Sequence, residues 1–114
     1  METPLIKIDL APLSVNDAWK GKRYKTDKYK QYEKDLTWLL PKNITIPKPP
    51  LSVYYEFGIT NGADGDNCIK QLQDLLAKQY KFLDNQIHEW HVKKIPVKTE
   101  KDKYIKFKIS SINN

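Results

Sequence analysis

An α+β fold, with one mixed β-sheet and two main helices on one of its faces, is what this 114-residue sequence predicts. Residues 51–59 and 103–110 alternate apolar and polar side chains, the mark of half-buried strands. Residues 27–40 and 66–80 repeat apolar side chains at helical spacing. The two patterns interleave in the order strand, helix, strand, helix, strand, strand, which favours a mixed sheet over separate all-α and all-β units. The length suits a single domain spanning residues 1–114, with one modest core.

The chain opens on a short strand signal, with Ile6, Ile8 and Leu10 sharing a face. Residues 11–25 hold Pro12 and Gly21 and show no period, so a loop is expected. Thr26 is placed to cap a helix beginning at Asp27, whose charge suits the helix dipole. Tyr29, Tyr32, Leu36 and Leu39 or Leu40 form its stripe, and Trp38 is expected in the core beside the two tyrosines. Pro41, Pro47, Pro49 and Pro50 stiffen the connector that follows. The clearest strand then faces Val53, Tyr55, Phe57 and Ile59 one way and Tyr54 and Glu56 the other. After a glycine-rich loop, the second helix carries Ile69, Leu72, Leu75 or Leu76, and Tyr80 as its stripe. Residues 86–97 read as a strand with His88, Trp90 and Val92 on one face, so His88 is expected to be packed. The last strand sets Ile105, Phe107 and Ile109 against a basic outer face of Tyr104, Lys106 and Lys108.

Charge narrows the function classes. The chain has 20 Lys and Arg against 14 Asp and Glu, a formal charge of +6. The excess is uneven: residues 1–50 hold ten cations and six anions, residues 51–92 three and six, and residues 93–114 seven and two. Basic flanks attract phosphates, and a carboxylate-rich centre suits a hard divalent cation. The single cysteine, Cys68, excludes an internal disulfide and a cysteine-built zinc site, and a buried thiol is expected there. No apolar run reaches the ~20 residues of a membrane span, and no leader pattern opens the chain. The expectation is a cytoplasmic protein with no membrane partner.

The chemistry-bearing residues cluster where strand meets helix. Asp64-Gly65-Asp66-Asn67 brings two carboxylates around a glycine turn. Asp66 equally suits a helix cap. Lys70 follows four residues after Asp66, and also stands four before Asp74, so a simple surface ion pair is open to it. Asp84 lies just beyond the same helix, within Leu83-Asp84-Asn85-Gln86-Ile87. A straight helix of this length separates its ends by about 20 Å, so Asp84 meets the other acids only if its loop folds back. Three carboxylates brought together would repel unless a cation such as Mg²⁺ or Mn²⁺ joined them.

The pattern Asp64-x-Asp66-Asn67-x-x-Lys70, followed by Leu83-Asp84-x-Gln86-Ile87, resembles the RusA family of Holliday junction resolvases. The opening Pro12-Leu13-Ser14-Val15-Asn16, with Trp19 and a basic stretch, is also similar to that family's N-terminal region. The likeness runs from about residue 12 to 109. It implies a homodimeric, Mg²⁺-dependent endonuclease of DNA recombination and repair that nicks four-way junctions symmetrically, with Mn²⁺ as a substitute metal. Asp64, Asp66 and Asp84 match the family's metal-binding acids and Lys70 its catalytic lysine. Many relatives carry two adjacent acids where this chain has Asp84-Asn85; by its distance to Gln86, Asp84 matches the second.

Contacts to DNA are expected from Asn16, Trp19, Lys20, Lys22, Arg23 and Tyr24, where cations follow phosphates and exposed rings stack on opened bases. His88 and His91, three apart in a strand, do not make a metal pair. Two other readings fit the same residues: a basic nucleic-acid-binding module without catalysis, and a metal nuclease for other branched or single-stranded DNA.

Overall fold

The computed structural model describes residues 2–21, 24–60 and 65–112, with Gly65 and Asp66 placed by backbone alone. The fold class is as the sequence predicts. A four-stranded mixed sheet has the order β1-β6-β4-β5, formed by β1 (Ile6–Ile8), β4 (Leu51–Thr60), β5 (Ile87–Val97) and β6 (Tyr104–Ser111). β4 runs parallel to β5 and antiparallel to β6, which is antiparallel to β1. The main helices are α2 (Asp27–Leu39) and α3 (Ile69–Tyr80), and α3 is the crossover between the parallel strands.

One face of the sheet makes the core. Leu51, Val53, Tyr55, Phe57 and Ile59 of β4 are buried beside Ile105, Phe107 and Ile109 of β6. Tyr29, Tyr32 and Leu36 of α2 and Leu72, Leu75 and Leu76 of α3 join the same cluster. Thr26 caps α2 as its sequence position suggests, its hydroxyl oxygen accepting from the Tyr29 N–H at 3.1 Å. Cys68 is buried.

Trp38 departs from expectation: it is 84% exposed. Two residues past Leu36 turn a helix by about 200°, so a side chain there points away from the Tyr29–Tyr32–Leu36 stripe, and Leu40 completes the buried set instead. His88 is also exposed, not packed. The ladder between β4 and β5 is irregular at Leu51/Ser52, where Leu51 opposes Ile87 but Ser52 opposes Glu89, so His88 drops out of the alternation. The stretch expected to be a loop contains one helical turn, α1 (Val15–Ala18), and a small ribbon of β2 (Trp19–Lys20) and β3 (Tyr24–Lys25). Gly21 turns between them at φ +71°, a conformation that costs glycine little.

The opposite face of the sheet carries no helix among the described residues, and its centre is a charged knot. Glu56 is 9% exposed and accepts hydrogen bonds from the hydroxyls of Tyr54 and Tyr104, with the Lys106 ammonium 3.7 Å away. Burial pushes the Glu56 carboxyl upward, but the bonds from Tyr104 and Tyr54 and the charges of Lys106 and Lys93 outweigh it and hold the group below its ordinary value. The Tyr104 ring lies directly on Gly58, where a Cβ would stand 2.3 Å from two ring carbons. A side chain at position 58 would therefore evict the ring.

Candidate functional site

The N-terminal half of α3 is where the predicted site residues gather. Lys70 lines a cleft of about 560 Å³ with Val15 and Asn16 of α1, Trp19 of β2, and Gly21. Asn16 and Trp19, singled out for DNA, thus share a wall with Lys70, singled out for chemistry. The Trp19 ring meets Tyr29 edge-on at 5.4 Å, so it is a fixed wall of the cleft, with its rim open. Tyr24 is 72% exposed and Lys20 is exposed on the same ribbon. Lys22 and Arg23 lie outside the described residues.

Lys70 pairs with Asp74 one turn on, at 3.5 Å, with the lysine side chain 71% exposed. Such a pair is worth only a few tenths of a kcal/mol, so the ammonium is tethered lightly and remains available to an incoming anion.

Asp84 heads a 3₁₀ turn (Asp84–Gln86) and is exposed. Its loop reaches back along α3 as far as Gln73, the fifth residue of the helix. The Asp84 carboxylate accepts from Gln73 Nε2 at 3.4 Å, and Gln73 is the i+3 neighbour of Lys70 on α3. Asp84 therefore lies against α3 one turn from Lys70, and not at the far end of the helix.

Gln73 holds this arrangement. It is 9% exposed, and its Oε1 accepts from Trp90 Nε1 at 2.8 Å and from the Tyr55 hydroxyl at 3.1 Å. An indole N–H only donates, so the atom facing it must be the amide oxygen, which leaves the amide nitrogen for Asp84. Burial, then the charges of Asp84 and Asp74, pushes the Tyr55 hydroxyl well above its ordinary value. Glu89 goes elsewhere: its register partner is Ser52, on the opposite face, and it meets His91 at 3.6 Å.

Asp64 lies outside the described residues. Asp66 is placed by backbone only, in the 3₁₀ turn Gly65–Cys68 that leads into α3. Among the described residues no three His, Cys, Asp or Glu side chains form a metal cluster. Asp84, bonded to Gln73, and Asp74, paired with Lys70, carry carboxylate oxygens of the kind a hard cation takes.

Sequence reasoning missed Gln73 and Trp90. The only signal was a polar residue between Leu72 and the Leu75-Leu76 pair, where α3 meets the core.

No helix among the described residues is long and apolar enough to cross a membrane. The chain matches no protein-family model and no curated protein.

Proposed function

We propose that this chain is a divalent-metal-dependent endonuclease that acts on branched DNA, with four-way junctions as its substrate and paired nicks as its product. The observation that supports the reading is the contact of Asp84 with Gln73, one turn of α3 from Lys70, which lines a cleft with Asn16 and Trp19. The resemblance to RusA resolvases rests on the same residues, and it supplies the homodimer and the substrate class.

In this reading Asp84 holds Mg²⁺ together with Asp64 and Asp66, and Mn²⁺ can replace it. The bound ion supplies Lewis acidity and a more acidic water. Lys70 sets a positive charge against a non-bridging phosphate oxygen as negative charge builds there. Gln73 keeps the Asp84 carboxylate turned toward α3. Trp19 and Asn16 give the phosphodiester a wall to rest on, and Tyr24, Lys20, Lys22 and Arg23 hold the adjoining strand through stacking and phosphate contacts.

The test is cleavage of synthetic four-way, three-way and linear DNA with Mg²⁺. Asp66→Asn and Asp84→Asn are expected to abolish nicking and to leave junction binding largely intact in gel-shift assays. Undiminished cleavage by either purified variant would refute its metal role. A wild-type protein that binds junctions without ever cutting them would instead indicate a binding module. Cutting that favours three-way or linear DNA would reassign the substrate.

A further inference from the structure

β5 is an edge strand of 11 residues, and among the described residues only β4 pairs with it. All of β5 beyond Ile87 is exposed or partly exposed. Free edges invite pairing, and proteins blunt them with lysine, proline or cover. Here the blunting residues, Lys93, Lys94 and Pro96, all sit in the C-terminal half. The half before them bears Trp90 at 48% and Val92 at 40% exposure; their register partners Val53 and Tyr55 put both on the core side of the sheet. Glu89, His91 and Lys93 alternate with them on the opposite face, opposite Ser52, Tyr54 and Glu56.

This strand is complementary to itself about His91. We propose that β5 pairs antiparallel with β5 of a second copy of this chain, around a two-fold axis at His91, joining the two sheets edge to edge. In that register Glu89 stands opposite Lys93 of the second copy, and Trp90 opposite its Val92, each pair occurring twice by symmetry. The regular pairing runs from Glu89 to Lys93, since the ladder slips at His88, and Pro96 falls outside it, where its missing N–H costs nothing. Shifting the axis to Val92 sets Trp90 against Lys94 and draws Pro96 into the ladder. Shifting it to Trp90 loses the Glu89–Lys93 match. Of these three axes, the one at His91 satisfies charge on one face and apolar contact on the other.

The inference stands on the strand alone and does not need the nuclease reading. It does bear on it, because the Trp90 indole that lines the interface also holds Gln73, and so one candidate site would lie on each side of the axis.

The experiment is sedimentation equilibrium of the full chain and of Glu89→Lys, Lys93→Glu and the double charge swap, with circular dichroism confirming that each is folded. The wild type is expected to be dimeric. Each single reversal sets like charges opposite each other twice and should weaken self-association about tenfold or more, and the double swap should restore it. A wild type that stays monomeric at its highest soluble concentration overturns the proposal. So do single reversals without effect, which would place the contact on another surface, and a double swap that fails to recover, which would exclude this register. Cleavage assays on the same variants report separately, so loss of dimer and loss of nuclease activity remain distinct results.

Discussion

Replacing Gln73 with leucine removes one small amide and exposes how the site is held. The side chain is nearly isosteric and the position is 9% exposed, so the volume change itself costs little. The cost lies in the partners left behind. The Tyr55 hydroxyl belongs to a residue with no exposed surface, and Gln73 is its hydrogen-bond partner, at 3.1 Å. Stranding a buried hydroxyl costs about 1–3 kcal/mol. Trp90 is half exposed, so water can replace its lost bond, and the 3.4 Å contact to exposed Asp84 is weak to begin with. The sum is about 1–3 kcal/mol, or about 4–12 °C in Tm for a domain of this size. Urea unfolding of Gln73→Leu, Tyr55→Phe and the double variant measures it. Because the phenylalanine removes the stranded group, the double variant should be more stable than the two single costs would add to, by about 1 kcal/mol. A Gln73→Leu cost below about 0.5 kcal/mol, together with strict additivity, would refute the buried lock.

Two further outcomes follow from the opposite face of the sheet. Gly58→Ala drives a Cβ into the Tyr104 ring and should destabilise by about 1–3 kcal/mol, with Tyr104→Ala in the same background recovering part of the loss; thermal melts of the three proteins check this. Alkaline pH should loosen the fold. Tyr54, through its bond to Glu56, and Tyr104, first through burial and then through its bond to the same carboxylate, are both raised from 10.0 to about 12. A raised value means the neutral phenol is favoured by folding, so its contribution is whole below pH 10 and is lost as pH climbs through about 12. Melting temperature followed from pH 9 to 12 should fall over that window, and less steeply in a Tyr54→Phe variant.

The architecture was legible because alternation and helical spacing report burial directly. β4 and β6 buried the residues that their period-two pattern assigned to the core, and Thr26 capped α2. Two side chains depart from their expected periods for local reasons. Trp38 follows Tyr29 and Tyr32 along α2, but its angular position is nearly opposite Leu36, which turns it to solvent. His88 lies where the ladder between β4 and β5 slips, so a count in twos does not reach it. The site was harder to read, since chain spacing says nothing about whether a loop doubles back. The contact that marks it, between Gln73 and Asp84, joins two polar residues that carry no periodic signal.

The fold also decides which acids of the central segment can act together. The sequence groups Glu56, Asp74, Asp84 and Glu89 in one carboxylate-rich stretch, but the strands deal them to two sides. Glu56 is enclosed by two phenols and Lys106, and Glu89 pairs with His91 on that same open face. Asp74 and Asp84 instead sit on the side covered by α3, where Asp84 accepts from Gln73 and Asp74 pairs with Lys70. A β-strand alternates its side chains, so no small motion carries Glu56 or Glu89 through the sheet to join them. Under the proposed nuclease reading, any acid that joins Asp66 around a cation would therefore come from α3 or the loop after it, and not from either glutamate.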